Sequence, residues 1–268
     1  MKHFKSISGF TLIELSIVLA IIGLIISGII SGRNLVKAAQ LRSVVSDVRS
    51  YDTAISNFKD TYSQLPGDFD DAYSFWGTNC STGASSCNGN NNGQIYPTSG
   101  RNEWLMAIKH LSLAGLITGS YTGTSVLVNS ETTPGENTIA GRLANSEIIF
   151  GGGHDGSWVR ANINSDLWIR NSILYGRHDT PDASFCEGAL FAPVDAAALD
   201  TKIDDGMPIM GRVRSVQGVT FAPTTWTTDC FTASVVAGTA ATYTLNTATA
   251  VSPQCWMWFD LSASAAQW

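Results

Sequence analysis

The sequence predicts an α+β protein: one long N-terminal α-helix packed on an antiparallel β-sheet head that is enlarged by loops. Three observations carry this. Residues Phe10 to Ile30 form an unbroken apolar run. Apolar residues from Leu41 to Tyr62 then recur at helical spacing. Beyond Thr118, short β-prone runs alternate with clusters of Gly, Asn, Ser and Thr.

The first run reads FTLIELSIVLAIIGLIISGII, with Glu14 as its single charge. At about 1.5 Å rise per residue, a helix of this length spans the ~30 Å hydrocarbon core of a bilayer. A buried core helix is the other reading, but no other part of the chain is apolar on all faces. The residues before it, MKHFKSISG, place Lys2 and Lys5 ahead of Gly9. A secretory signal would put its apolar region before the cleavage point. Here cleavage at Gly9–Phe10 keeps the apolar helix on the mature chain. A carboxylate inside lipid costs roughly 2.5–3.5 kcal/mol on insertion scales, so Glu14 marks a functional position that needs a partner.

The helix continues with a different period. Leu41, Val44, Val48, Tyr51, Ile55, Phe58 and Tyr62 are spaced 3, 4, 3, 4, 3, 4 and make one apolar stripe. Arg33, Lys37, Arg42, Arg49, Asp52 and Lys59 fall on other faces. Leu65-Pro66-Gly67 ends the element, since Pro cannot continue a helix and Gly permits the turn. From Phe10 to about Ser63 the helix is roughly 80 Å long. The segment Asp68 to Asn102, rich in Asn and Gly, reads as an exposed loop with no packed core of its own. Asn102 caps a second helix, Glu103 to Ala114, which Gly115 terminates. Strands are expected at Ser125–Val128, Glu147–Phe150, Trp158–Ile163, Leu167–Tyr175, Pro208–Val216, Ala241–Leu245 and Cys255–Leu261, with a short helix at Val194–Leu199.

Composition narrows the function classes. The chain has 268 residues, 44% hydrophobic and only 14% charged, which excludes a disordered, highly charged chain. Its 16 Lys+Arg against 22 Asp+Glu give −6; without Lys2 and Lys5, 14 against 22 give −8. No nucleic-acid partner is expected, because Arg212 and Arg214 in one strand do not make a basic patch.

The Gly9-Phe10-Thr11-Leu12-Ile13-Glu14 run, with its basic leader and apolar helix, resembles the class III signal of type IV prepilins and type II secretion pseudopilins. Weaker likeness to large-headed prepilins lies in Leu65-Pro66-Gly67-Asp68, in His110 to Ile117 and in Asp200 to Gly206. The resemblance implies cleavage after Gly9 by a prepilin peptidase and N-methylation of Phe10. It implies a leader at 1–9, a transmembrane and assembly helix at 10–32, an amphipathic helix at 33–64 and a globular β-rich head at 65–268. It also implies that Glu14 pairs with the Phe10 amine of a neighbouring subunit; a self-pair four residues away and a snorkelling glutamate are the alternatives. The expected partners are other pilin subunits, the prepilin peptidase and the inner-membrane assembly machinery. One departure is Ser31, where many major pilins have a helix-kinking Pro.

Counting positive charges on either side of the span leaves the orientation undecided. The resemblance and the cysteines place the head outside the cytoplasm. Cys80, Cys87, Cys186, Cys230 and Cys255 all follow the apolar helix, and their spacing fits no zinc motif. Disulfides persist in oxidising compartments. Cys80–Cys87 closes the CSTGASSC loop and Cys230–Cys255 clamps the C-terminal region in one pairing, with Cys186 left over; sequence alone leaves connectivity open.

Other chemical candidates are weaker. Asp200, Asp204 and Asp205, followed by Gly206, offer oxygen ligands for Ca²⁺, although the spacing is not that of an EF-hand; a capped turn accounts for them without metal, and no other cofactor is expected. Asp68, Asp70 and Asp71 read as solvated loop carboxylates. His154 lies in a glycine-rich run, Gly151 to Gly156, that reads as a β-turn. No GxSxG and no GK[ST] phosphate loop occurs, so an enzyme is not expected. Trp76, Trp226, Trp256, Trp258 and Trp268 fit core or strand positions better than a glycan-binding surface. The chain therefore reads as a structural filament subunit, held in the inner membrane before assembly into an extracellular pilus or periplasmic pseudopilus. The alternative is a membrane-tethered or pilus-tip adhesin whose head recognises a surface ligand. A head of about two hundred residues (268 minus 66 is 202) suits a minor subunit or an unusually decorated major one.

Overall fold

The computed structural model describes residues 10–98, 101–124, 132–151, 171–178, 186, 188–221, 224–226, 229–232 and 241–261. The chain forms two compact units, Met1–Arg42 and Ser43–Trp268. Helix α1, Leu12–Tyr62, runs through the boundary. It is assigned as one continuous helix through Gly28, Ser31 and Gly32.

In the first unit every residue from Phe10 to Gln40 is exposed. Leu12 is 89% and Leu24 76% exposed. By length and composition the helix can cross a membrane. An apolar surface of this extent is not left facing water in a soluble monomer.

In the second unit α1 buries Val44, Val45, Val48, Ala54, Ile55 and Phe58, with Tyr51 and Tyr62 half-buried. Asp52 corrects the expectation of a solvent position, because it is buried. It lies four residues after Val48 and three before Ile55, so the buried stripe is wider than a 3.5-residue seam. Asp47 is buried too and takes Arg142 Nε at 2.9 Å. The helix stops where Ser63 turns to positive φ, ahead of Pro66.

The segment after α1 is another correction. It is not an exposed loop: it holds α2, Ala72–Trp76, a 3-10 turn at Gly77–Asn79, α3, Ala84–Cys87, and the paired strands β1, Pro97–Thr98, and β2, Arg101–Asn102. Phe69, Cys80, Cys87 and Ile95 are buried. Asp68 and Glu103, both buried, hold the asparagine-rich stretch by its backbone. Asp68 accepts the N–H of Asn92 at 2.9 Å and of Gly93 at 2.8 Å. Glu103 accepts the N–H of Asn90 and of Tyr96, each at 3.2 Å. Asp68 is thus not the solvated carboxylate expected, and burial raises its pKa. Asp70 and Asp71 are exposed.

Helix α4, Glu103–Leu113, is almost entirely buried. Asn102 precedes it but makes no side-chain cap hydrogen bond. The helix ends at Gly115, φ 71°, whose following N–H from Leu116 returns to Leu111 O at 2.9 Å.

The main sheet contains β3, Ile139–Ala140, β4, Ser146–Gly151, β5, Ser172–Arg177, β6, Val213–Gln217, and β9, Cys255–Asp260, in the order β3-β4-β5-β9-β6, all antiparallel. A separate hairpin joins β7, Val219–Phe221, to β8, Thr224–Trp226. Helix α5, Pro193–Ile203, extends the short helix expected at Val194–Leu199. All six residues of β4 are buried, so this strand is covered on both faces. Tyr51 of α1 meets Phe150 of β4 at 5.7 Å between ring centroids, placing the helix on one face.

The strands expected at Glu147–Phe150 and Cys255–Leu261 lie within a residue of β4 and β9. That at Pro208–Val216 begins only at Val213, since residues 208–212 form a turn. Ala241–Leu245 keeps only a bridge, Phe231 to Tyr243. Of Leu167–Tyr175, the part from 172 is β5. Trp158–Ile163, Ser125–Val128, residues 167–170 and His154 lie outside the described residues. Cys80–Cys87 and Cys230–Cys255 are disulfides, and Cys186 is a buried thiol.

Candidate functional site

At the start of α1 the side chain of Phe10 is 91% exposed. Thr11 and Glu14 make a reciprocal cap. Thr11 donates both its backbone N–H and its hydroxyl to Glu14 Oε2, each at 2.8 Å, while Thr11 Oγ1 accepts the N–H of Glu14 at 3.3 Å. The spacing Thr-x-x-Glu is that of a capping box. Sequence reasoning singled out Glu14 and overlooked Thr11, although Thr11-Leu12-Ile13-Glu14 carries the signal plainly. The arrangement orients the carboxylate of Glu14, in an otherwise apolar stretch, at the first turn of α1 next to Phe10 and Thr11. Gly9 lies outside the described residues.

Residues 4–30 match the prokaryotic N-terminal methylation motif. This motif is the class III signal peptide of type IV pilins and pseudopilins. The motif supports processing by a prepilin peptidase and a structural rather than enzymatic protein. Together with the apolar helix it fits a membrane-anchored pilin. No curated protein and no solved structure matches the chain. The matched residues end before the head begins.

The acidic turn after α5 has a structural explanation. The carboxylate oxygens of Asp200, Asp204 and Asp205 lie within 4.8 Å of one another, close enough to share a metal ion. They also satisfy the chain's own donors. Asp200 accepts Tyr243 Oη at 2.8 Å and the N–H of Gly206 at 3.2 Å. Asp204 Oδ2 accepts the N–H groups of Arg212 and Val213, and Asp205 accepts that of Met207. Val213 opens β6, which ends the sheet order, and Ser215 N–H goes to Pro208 O at 2.7 Å. The turn therefore covers the sheet edge that would otherwise offer unpaired N–H groups. Burial, with the charges of Asp205 and Asp204 adding to it, raises the Asp200 pKa to about 7.

A second group, Cys80, Cys87 and His110, also converges. Its chemistry argues against a metal. The two sulfurs are joined in a disulfide. Gly67 N–H donates to His110 Nδ1 at 2.9 Å, so the ring proton sits on Nε2 and is donated to Cys87 O at 3.0 Å. That tautomer leaves no lone pair on Nε2 for a cation. Burial lowers the His110 pKa to about 4, and the ring is neutral. His110 thus clamps Gly67, midway along the α1–α2 connection, onto the disulfide loop. Gly67 has φ +84°, and a Cβ there would meet the backbone of Glu103. The segments around Leu65 to Asp68 and His110 to Ile117 thus meet through Gly67 and His110, a proximity that their sequence separation concealed.

A third polar group lies on β4. Glu147, fully buried, accepts Thr138 Oγ1 at 2.5 Å and Thr132 Oγ1 at 3.1 Å, and its Oε2 is 3.2 Å from His178 Nδ1. Both Thr132 and Glu147 address the same ring nitrogen of His178, so the three do not form a nucleophile–base–acid relay, which requires opposite nitrogens. Trp104, Trp256 and Trp258 are buried. Trp76 belongs to α2, Trp226 to β8, and Trp268 lies outside the described residues.

Proposed function

We propose that the chain is a structural subunit of a type IV pilus or a related pseudopilus. It is cleaved between Gly9 and Phe10, methylated at Phe10, and assembled through its apolar helix. The observation that carries this reading is the fully exposed helix surface from Phe10 to Gln40, whose first part, up to Ile30, coincides with the methylation motif at residues 4–30. Such a surface is stable in two environments, lipid and the dry core of a helical filament. Before assembly the helix lies in the inner membrane and the head is extracytoplasmic, where its two disulfides persist.

Glu14 gives the helix an address. In lipid the Thr11 donors partly compensate its charge, and a neighbour's Phe10 amine supplies a counter-charge on assembly. A subunit entering out of register would leave both charges unpaired in a weakly screened interior. Fractionation of cells carrying Glu14→Leu tests this. The variant accumulates in the inner membrane, processed and with its head disulfides formed, and is missing from filaments. Incorporation at the wild-type level would remove Glu14 from assembly and leave it a snorkelling side chain.

A further inference from the structure

The charge of the chain is divided along its length. Between residues 33 and 49 the exposed charges are all basic: Arg33, Lys37, Arg42 and Arg49. The one acid there, Asp47, is buried against Arg142. Four bases less one acid give +3 for this stretch. From residue 51 onward the chain carries 10 Lys+Arg (16 less Lys2, Lys5 and those four) and 20 Asp+Glu (22 less Glu14 and Asp47), a net of −10.

The surface at the C-terminal end of α1 is both acidic and aromatic. Asp60, Asp70 and Asp71 are exposed, as is Lys59. The Asp70 carboxylate is held in place, accepting Gln64 Nε2 at 2.9 Å and Asn91 Nδ2 at 3.3 Å. Beside it Tyr62 meets Phe75 and Trp76, each at 5.5 Å between ring centroids, and Phe75 is 59% exposed.

We propose that this acidic, aromatic end docks the basic stretch 33–49 of a second copy of the chain. The inference rests on the filament reading above and names a contact that reading leaves open. Three of the four bases are arginines, whose planar guanidinium pairs with carboxylates and stacks on aromatic rings. The partner carries the opposite charge and is present in equal number. The two surfaces are different patches of one chain, so the contact is head-to-tail and repeats into a filament rather than closing a dimer. Because both patches are exposed, the attraction weakens as salt is raised.

The test uses the full chain expressed with its assembly machinery. Asp70→Lys/Asp71→Lys and Arg42→Glu/Arg49→Glu each reverse one side, and the quadruple variant exchanges them. Processing and the Cys80–Cys87 disulfide serve as controls for folding. Each reversed variant is expected to yield about tenfold fewer filaments or less, since small surface-pair energies recur at every subunit, and the quadruple variant returns to within about twofold of wild type. Wild-type filament yield from Asp70→Lys/Asp71→Lys overturns the proposal, as does failure of the correctly folded quadruple variant to recover. If Arg42→Glu/Arg49→Glu alone fails and has lost binding to phosphatidylglycerol vesicles, the basic stretch serves lipid and the proposal is wrong. Absence of the wild-type chain from filaments refutes the filament reading itself.

Discussion

Replacing Asp200 by Asn probes the buried turn that covers β6. Asp200 is fully buried, and its pKa is raised from 3.8 to about 7. The native head therefore holds a proton that the unfolded chain releases above its own pKa. The sign follows: the unfolded chain binds fewer protons between about pH 4 and pH 7, so stability falls as pH rises through that window. Three pH units correspond to about 4 kcal/mol. Asn carries no titratable proton and loses this slope. It also places an N–H₂ against either Tyr243 or Gly206, a cost that does not vary with pH. The informative quantity is thus the change with pH in the stability difference between variant and wild type. All eight Trp lie at or beyond residue 76, so urea unfolding of the full chain in detergent, followed by Trp fluorescence, reports on the head. The difference should move in favour of Asp200→Asn by several kcal/mol between pH 4 and pH 8. A flat difference would show that Asp200 ionises as an ordinary surface carboxylate, and the account of its burial beside Asp204 and Asp205 would fail.

His110 gives the opposite slope: its pKa is lowered from 6.5 to about 4, so its contribution is present above pH 6.5 and lost as pH falls toward 4. His110→Ala should remove that acid-side loss and, by orphaning Gly67 N–H and Cys87 O, cost about 1–3 kcal/mol for each buried group; chemical denaturation at pH 7 and pH 4.5 checks both. Cys80→Ser/Cys87→Ser opens a loop of sequence separation 7 and should cost about 2–3 kcal/mol. The 25-residue separation of Cys230–Cys255 should make its loss somewhat dearer, about 3–4 kcal/mol in the chain-entropy account, measured as shifts in urea midpoint. Asp68→Ala should release the N–H groups of Asn92 and Gly93, seen as faster amide hydrogen exchange at those two residues with slower exchange retained in β4.

Periodicity made α1 and its buried stripe legible, because an apolar run of membrane length and a 3, 4 repeat have few competing explanations. The strands β4 and β9 were legible from dense β-branched and aromatic runs. Asp52 and Asp68 were misread because residue type suggested solvent: Asp52 lies on the buried stripe of α1, and Asp68 finds backbone donors inside. The asparagine-rich segment was misread similarly, since its order comes from Asp68 and from Glu103, a residue outside the segment. Thr11 was available from sequence as half of a capping box. The clamp from His110 to Gly67 was not, because it joins residues 43 positions apart.

The central claim is that this chain is a processed subunit whose apolar helix is its means of assembly. Intact-mass analysis of the chain recovered from sheared filaments tests it most directly. The account predicts a polypeptide beginning at Phe10, heavier by one methyl group at its amine, with both disulfides formed. A chain beginning at Met1, or one cleaved beyond Ile30 and lacking the helix, would contradict it.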